Sequence, residues 1–180
     1  MRVIAGKHRG LNLLTFEADN IRPTIDRVRE GIFNKIQFNI NGAKVLDLFG
    51  GTGAISIEFL SRGAETVVTV DNNKKSIDLI KKNFIKAKEK LNLIENDFKS
   101  ALKNLKGNKF NFIFLDPPFD TMYGEQSINL ILEYCLLEKD GIIIYEHSVD
   151  KKFILDDKVE IFDEKKYGTI LVSYLRIKND

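Results

Sequence analysis

The sequence has little cysteine and proline and no long apolar segment. Its 180 residues include one cysteine and three prolines. One cysteine cannot form an internal disulfide, and we expect Cys135, which lies in an apolar run, to be a buried small hydrophobic residue. No stretch approaches the roughly 20 apolar residues that cross a bilayer, and no apolar signal-peptide segment follows the first basic residues. These absences predict a cytoplasmic protein without disulfides or membrane spans.

The chain also lacks internal repeats, low-complexity tracts and proline-rich linkers. Its length suits one domain with a hydrophobic core, and a content of 43% hydrophobic and 30% charged residues is typical of globular proteins. We therefore predict a single domain over residues 1–180. Within it, residues 1–40 are expected to form an N-terminal extension and residues 41–180 the main α/β core.

Positive charge is concentrated near the N-terminus. Residues 1–35 contain seven Lys or Arg and four Asp or Glu, although the net charge of the chain is only +2. Lysine outnumbers arginine by 21 to seven overall, yet five of the seven arginines are Arg2, Arg9, Arg22, Arg27 and Arg29. A guanidinium binds phosphate through two parallel hydrogen bonds and stacks on bases. The cluster therefore indicates a nucleic-acid contact or a solvated basic face, and composition leaves both open.

The spacing of hydrophobic residues changes near residue 44. Before it, residues 3–5 and 11–16 flank a glycine turn, which predicts a hairpin. A helix is predicted to begin after Pro23. After it, β-branched runs alternate with helical segments, which predicts a parallel sheet. We expect strands at 45–49, 66–70, 92–95, 110–115 and 142–145, helices near 53–61, 73–90, 98–105 and 125–137, and an antiparallel hairpin from 159–162 and 169–175. The predicted fold class is α/β, a doubly wound, mostly parallel sheet with an antiparallel C-terminal hairpin.

A glycine-rich turn follows the first strand of this sheet. It contains Gly50, Gly51 and Gly53 and leads into the next helix, so that backbone amides can approach a ligand closely. Asp71 ends the following strand, at the spacing from which a carboxylate can bind two ribose hydroxyls. The pair predicts a nucleotide-type cofactor.

Two residues near this turn bear on which cofactor is bound. Ser56 occupies the position where a dinucleotide fingerprint has its third glycine, which disfavours NAD. Asp47 places a carboxylate beside the turn, where it suits the cationic sulfonium and ammonium of S-adenosylmethionine. Asp97, after the third strand, is expected either to accept the adenine amino group or to cap the next helix. The pattern favours S-adenosylmethionine.

The fourth strand ends in Asp116, Pro117, Pro118 and Phe119. Two prolines fix an extended turn and remove two backbone donors, which leaves the carbonyls free to face a ligand. An exocyclic base amine is a poor nucleophile because its lone pair is delocalised into the ring. Asp116 and the Pro117 carbonyl can accept both of its hydrogens and direct the lone pair at a methyl group, while Phe119 stacks on the unpaired base. The motif predicts methyl transfer to a base amine.

With these motifs the chain resembles the RsmD family of small-subunit ribosomal RNA guanine-N2 methyltransferases over nearly its whole length. The resemblance is carried by residues 2–10 (RVIAGKHRG), 22–30 (RPTIDRVRE), 47–53, 61–64, 116–119 and 167–168. It implies a Rossmann-like catalytic core at 41–180, S-adenosylmethionine as donor, S-adenosylhomocysteine as product and no metal. It also implies a guanine of 16S ribosomal RNA as target, in free RNA or in an assembling small-subunit particle.

The resemblance also gives the arginine cluster a role. Arg9, Arg22, Arg27 and Arg29 are then predicted to contact RNA, although one on the helix could instead pair with a neighbouring carboxylate. The sequence departs from the family at His8, in place of an aromatic residue, at Ser56, in place of a glycine, and at 120–124, which has no clear match. For His8, RNA contact and an exposed turn residue both stay open.

Two other functions fit parts of the sequence. An adenine-N6 DNA methyltransferase would share the motif at 116–119 but usually carries a separate target-recognition region. A non-catalytic RNA-binding protein on a methyltransferase scaffold is the third hypothesis, and the intact motif argues against it. The sequence gives neither the target nucleotide nor the oligomeric state.

Overall fold

A computed structural model describes residues 1–16 and 23–178, in which seven strands form one sheet with helices on both faces. No helix in this part of the chain has the length and apolar character that a membrane span requires. In chain order the elements are α1 (Pro23–Ile36), a 3-10 turn (Gln37–Asn39), β1 (Lys44–Asp47), α2 (Ala54–Ser61), β2 (Thr66–Asp71), α3 (Lys74–Ala87), β3 (Leu93–Glu95), α4 (Phe98–Asn104), β4 (Phe110–Leu115), α5 (Tyr123–Glu133), β5 (Leu137–Ser148), β6 (Val159–Tyr167) and β7 (Ile170–Ile177).

The strand order is β3-β2-β1-β4-β5-β7-β6. The first five strands pair in parallel, whereas β7 is antiparallel to both β5 and β6. The predicted α/β class, with a reversed pair at the C-terminal end, is confirmed. The order changes direction between β1 and β4, where Leu46 pairs with Ile113. In a parallel sheet the crevice beyond the carboxyl ends of such neighbouring strands is where ligands bind.

Alternating side chains of the central strands build a core on each face of the sheet. Leu46 and Ile113 pack with α4 and α5 on one face, and their neighbours Val45 and Phe112 pack with α1 on the other. Strand residues alternate between faces, so a sheet buried on both sides needs apolar residues at successive positions. Helix α1 contributes four fully buried side chains to the second core, Val28, Ile32, Phe33 and Ile36.

The N-terminal hairpin is much shorter than predicted. Within residues 1–16 an antiparallel bridge joins Arg2 and Asn12, and backbone hydrogen bonds link Val3 with Gly10 and Leu11 and Leu13 with Met1. The backbone amides of Ile4 and Ala5 donate to the Glu58 carboxylate of α2, at 2.8 and 3.0 Å. The pairing therefore stops after Val3, where Glu58 fixes the segment to the core.

The end of α5 also differs from the prediction. The helix stops at Glu133, and Cys135 adopts a left-handed backbone with φ of 54°. This turn directs Leu136 and Leu137 into the core but leaves Cys135 exposed. The expectation of a buried cysteine is therefore wrong, because the apolar run crosses a helix end and its members do not share one face.

Candidate active site

A cavity of about 560 Å³ lies beyond the carboxyl ends of the central strands. Its wall comes from the segments that follow β1, β2, β3 and β4, which include Phe49, Gly51, Asp71, Asn72, Asn73, Asn96, Phe98 and Asp116 to Phe119. The structure thus brings the glycine turn, the acidic end of β2 and the proline motif to one place. They are neighbours because the carboxyl ends of parallel strands meet at one edge.

The glycine turn is held tightly against β2. Gly50 donates its amide to the Val70 carbonyl at 2.8 Å, and a Cβ at this position would lie 2.6 Å from Thr69 Cγ2. Gly51 has a positive φ of 56°, faces the cavity and donates to Asp71 Oδ2 at 2.9 Å. Gly53, also left-handed with φ of 78°, precedes α2. Side chains at these positions would be strained or would push the turn away from the sheet.

Asp71 is oriented by the backbone. Its Oδ2 accepts from Gly51 and its Oδ1 accepts from the amide of Asn73 at 2.8 Å. An ionised carboxylate offers about four acceptor sites, so two remain for a ligand in the cavity. The geometry suits a residue that binds hydroxyl groups from a fixed position.

Asp47 lies beneath the glycine turn and is only 1% exposed. Ser56 Oγ donates to its Oδ2 at 2.6 Å and also contacts Thr69 Oγ1 at 2.7 Å, while Oδ1 has no hydrogen-bond partner within residues 1–16 and 23–178. Burial is the main reason that the pKa of Asp47 rises to about 6. The serine that replaces a family glycine therefore holds this carboxyl beneath the turn.

Asp116 lines the cavity with its side chain open to solvent. Desolvation by the surrounding protein and, second, the nearby carboxyl of Asp47 raise its pKa to about 7. The Pro118 carbonyl accepts from Thr121 Oγ1 at 2.7 Å, whereas that of Pro117 has no such bond within the described residues. Phe119 is 38% exposed at the cavity. This turn therefore combines free acceptors with an accessible aromatic ring.

A smaller cavity of about 230 Å³ lies on the other side of the turn. It shares Phe49, Gly51 and Asp116 with the larger cavity and adds Arg29 and Glu146. Burial, and then the Asp116 carboxylate, raise the pKa of Glu146 well above its usual value. Sequence reasoning missed Glu146, although it follows a predicted central strand just as Asp116 does.

The predicted RNA-binding arginines separate in the structure. Arg9 and Arg27 are exposed, and Arg22 lies outside the described residues. Arg29 is only 4% exposed, and its Nη2 donates to the Arg2 carbonyl at 2.7 Å and to Asp26 Oδ1 at 3.1 Å. A phosphate contact needs an accessible guanidinium, so the burial of Arg29 does not suit the role predicted for it.

Another cavity, of about 580 Å³, lies between α1 and the turn that joins β6 to β7. Arg27 lines it together with Lys165 and Lys166. The two lysines were not singled out from the sequence, since they are far from the arginine cluster along the chain. The fold combines these cations into one basic groove.

Three other residues have structural partners. Of the two roles open for Asp97, the structure shows the helix cap, since its Oδ1 accepts from the amides of Lys99 and Ser100 at 3.0 Å. His8 Nε2 lies 2.6 Å from Glu89 Oε1, which ties the N-terminal turn to the segment after α3. His147 Nε2 lies 2.8 Å from Ser173 Oγ, and burial lowers the pKa of this histidine.

The sheet order and the cleft define the class of protein. The fold is the Rossmann-like fold of S-adenosylmethionine-dependent methyltransferases, which solved structures of such enzymes share. The solved structure of yhhF from Escherichia coli matches with a TM-score of 0.88 at 28% identity, over 99% of each chain.

Sequence comparison then gives the family. The family model described as Conserved hypothetical protein 95 matches residues 1–176. The chain is 34% identical to Ribosomal RNA small subunit methyltransferase D of Haemophilus influenzae, over 99% of this chain and 94% of that protein. It is 39% identical to YlbH of Bacillus subtilis, over 82% of this chain and 83% of that protein. The chain belongs to this family, the RsmD family, and the resemblance found in its sequence is confirmed.

Proposed function

We propose that the protein transfers the methyl group of S-adenosylmethionine to the exocyclic N2 amine of a guanine in small-subunit ribosomal RNA. The observation that carries this proposal is the turn from Asp116 to Phe119, which lines the cavity with free acceptors and an exposed ring. The name of the Haemophilus influenzae relative, a small-subunit ribosomal RNA methyltransferase, supports the choice of substrate.

The larger cavity suits the nucleoside part of the donor. Asp71, already oriented by two amides, has acceptor sites left for the ribose hydroxyls, and Phe98 offers an apolar wall for the adenine. The buried carboxyl of Asp47, under the glycine turn, favours a cationic ligand above it. When bound, S-adenosylmethionine supplies an electrophilic methyl group on a sulfonium.

Asp116 has two roles in the proposed reaction. As a carboxylate it accepts hydrogens of the guanine amine together with the Pro117 carbonyl, which orients the lone pair of the nitrogen. Methyl transfer leaves that nitrogen with an extra proton, and a carboxylate whose pKa is about 7 is a suitable acceptor near neutral pH. Phe119 stacks on the guanine once the base has left its helix.

The proposed RNA contacts lie on either side of α1. Arg9 belongs to the N-terminal turn, and Arg27 shares its groove with Lys165 and Lys166. Exposed cations suit the phosphates of a folded RNA, and such contacts contribute affinity without reading the RNA sequence. Arg22 is included from the sequence alone. The substrate is free ribosomal RNA or an assembling small-subunit particle.

The test is mass spectrometry of nucleosides from ribosomal RNA of cells with and without the protein. Loss of N2-methylguanosine in its absence, restored by the wild-type protein, is the expected result. Transfer of labelled methyl to purified DNA as N6-methyladenine would instead favour the adenine DNA methyltransferase. Transfer to neither RNA nor DNA would favour a non-catalytic RNA-binding protein.

A further inference from the structure

The segment between the proline motif and α5 is held more by hydrogen bonds than by packing. Residues 118–120 and 122–123 are exposed, so few of its side chains contribute to the core. Thr121 binds back to the motif, since its amide and its Oγ1 both donate to the Pro118 carbonyl, at 3.2 and 2.7 Å. Turns with few buried apolar contacts open easily. The position of Pro118 and Phe119 therefore depends on what holds Thr121.

A lysine from a distant part of the chain holds Thr121. Lys151, in the segment after β5, donates from its Nζ to the Thr121 carbonyl. The backbone amide of Lys151 donates to the Ser148 carbonyl at 3.1 Å, at the end of β5. Its side chain is only 12% exposed, and a lysine is rarely buried to this extent unless its charge has a partner. The contact ties the segment that carries Thr121 to the end of a central strand.

Glu125 is the partner of that charge. It lies in the first turn of α5, is 7% exposed, and its Oε1 is 3.4 Å from the Lys151 Nζ. Neither of its oxygens accepts a hydrogen bond within the described part of the chain. Gly124 lets this end of α5 lie directly on β5, since a Cβ there would be 2.2 Å from the Tyr145 hydroxyl oxygen. The carboxylate is therefore fixed in place, and it keeps the ammonium group of Lys151 beside Thr121.

We propose that Lys151 is a positioning residue for methyl transfer, which fixes the Pro118 and Phe119 end of the motif through Thr121. This inference rests on the proposed function, in which Phe119 stacks on the guanine. Lys151 does not belong to the lining of the larger cavity, so it acts through the turn and not on a ligand. A displacement of about 1 Å at a reacting group can lower a rate about 100-fold. The segment 120–124, which has no clear match in the family, thereby receives a role.

The donor side of the cavity has separate supports. Asp71 is held by the amides of Gly51 and Asn73, and none of these three lies in the segment that Lys151 contacts. Loss of the lysine should therefore misplace the guanine more than the methyl donor. The expected signature is a lower rate of transfer at nearly unchanged donor affinity, which general damage to the fold would not produce.

The test measures methyl transfer to RNA and calorimetric binding of S-adenosylhomocysteine, both with the full chain. Lys151→Met removes the ammonium group and keeps most of the side-chain volume. Lys152→Met, at the next and exposed position, is the matched control. Lys151→Met should lower kcat by about 10- to 100-fold and change the affinity for S-adenosylhomocysteine by only a small factor. The control should match the wild type in both.

Two further variants separate positioning from stability. Lys151→Met leaves Glu125 buried without its cation, so it should also lower the urea concentration at the midpoint of unfolding. Lys151→Met combined with Glu125→Gln removes both charges and should recover much of that stability, while kcat stays low because Thr121 is still not held. This double variant carries the test if Lys151→Met does not fold. Lys151→Arg, which can still donate to both groups, should restore kcat towards the wild-type value.

A fluorescent probe reports on the turn without any turnover. The chain contains no tryptophan, so Phe119→Trp introduces a single one into the motif. The fluorescence anisotropy of this probe should fall when Lys151→Met is added, because the turn gains motion on the nanosecond timescale. It should stay the same when Lys152→Met is added.

Recovery of kcat together with stability in the double variant would mean that Lys151 only compensates the charge of Glu125, and this would overturn the inference. A wild-type kcat in Lys151→Met, an equal loss of S-adenosylhomocysteine affinity, or an unchanged anisotropy would overturn it as well. In all these cases the wild type transfers methyl groups and the proposed function stands. Absence of methyl transfer to ribosomal RNA by the wild type would refute the proposed function, and the inference with it.

Discussion

The carboxyl edge of the parallel sheet is acidic, whereas the N-terminal segment, residues 1–35, is basic. The charged side chains of the two regions also differ in how exposed they are. The edge carries four acidic residues in or just after the carboxyl-terminal parts of the strands, Asp47, Asp71, Asp116 and Glu146. The N-terminal segment carries arginines, of which Arg9 and Arg27 are exposed and Arg29 is buried. The acidic set forms one site because parallel strands end together, whereas the arginine cluster of the sequence divides between the surface and a cavity.

Helix geometry explains that division. Arg27 and Arg29 are two residues apart on α1, and at 3.6 residues per turn their side chains leave the helix in nearly opposite directions. Arg29 lies on the same side as the buried Val28 and Ile32, while Arg27 faces the basic groove. Charges that are close in sequence therefore lie in different environments, one exposed and one buried. The following predictions test the separation between the acidic edge and the exposed arginines.

The largest effect is expected at Asp116. Asp116→Ala should lower the rate of methyl transfer by about 10²- to 10³-fold or more, because the amine loses the acceptor that orients it. Affinity for S-adenosylhomocysteine should change by only a small factor. Methyl transfer to RNA and calorimetry measure the two, with the exposed Asp140→Ala as control. Near-normal turnover would show that Asp116 does not hold the target amine.

Asp71→Ala should have the opposite signature. It removes proposed hydrogen bonds to the ribose and observed ones to Gly51 and Asn73, each about 1.5 to 3 kcal/mol for a charged acceptor, so cofactor binding should weaken tenfold or more. At saturating donor the methyl transfer should largely recover. Asp78→Ala, on the exposed side of α3, is the control for calorimetry. Normal cofactor affinity of Asp71→Ala would contradict its assigned role.

Asp47→Asn should change how stability depends on pH. Because the folded-state pKa of Asp47 is raised to about 6, the folded protein binds more protons than the unfolded chain between pH 4 and 6, and stability falls as pH rises through this window. The substitution should remove this fall and raise the free energy of unfolding at pH 8 by about 1 to 3 kcal/mol. Urea unfolding at pH 4 and pH 8 measures it.

Asp116, whose folded pKa is about 7, should still contribute to the fall in the Asp47→Asn variant, but less than in the wild type, because the Asp47 carboxyl no longer helps to raise its pKa. An equally steep loss of stability in wild type and variant would show that the buried carboxyl of Asp47 is not the titrating group.

The smallest effect is expected at the surface. Arg9→Ala combined with Arg22→Ala should weaken RNA binding and reduce its salt dependence by roughly 0.7 to 0.9 log units for each phosphate interaction that the substitutions remove. Affinity for S-adenosylhomocysteine should not change. A titration of RNA binding against salt measures the slope. If slope and affinity both match the wild type, these arginines form only a solvated face.

The position of the site was already determined by the sequence. The strand period, the glycine turn and the motif from Asp116 to Phe119 are local signals, and once the strands are known to be parallel their carboxyl ends must share one edge. The residue patterns predicted the seven strands and the reversed C-terminal pair. The shared edge predicted that Asp71 and Asp116 lie near each other, and both line the larger cavity. The boundary of 1–40 as an RNA-binding extension stays a prediction.

Only the tertiary structure decided which polar groups have partners. Ser56 binds Asp47, and Asp97 caps α4. Glu58 of α2 accepts from the amides of Ile4 and Ala5. Arg29 is buried with Nε and Nη1 unpaired within the described residues, and it lines the same cavity as Glu146. Such outcomes depend on competition among groups far apart in the chain, and on which face of a helix is packed. Local residue patterns do not contain that information, because burial and hydrogen bonding are settled only when the elements meet.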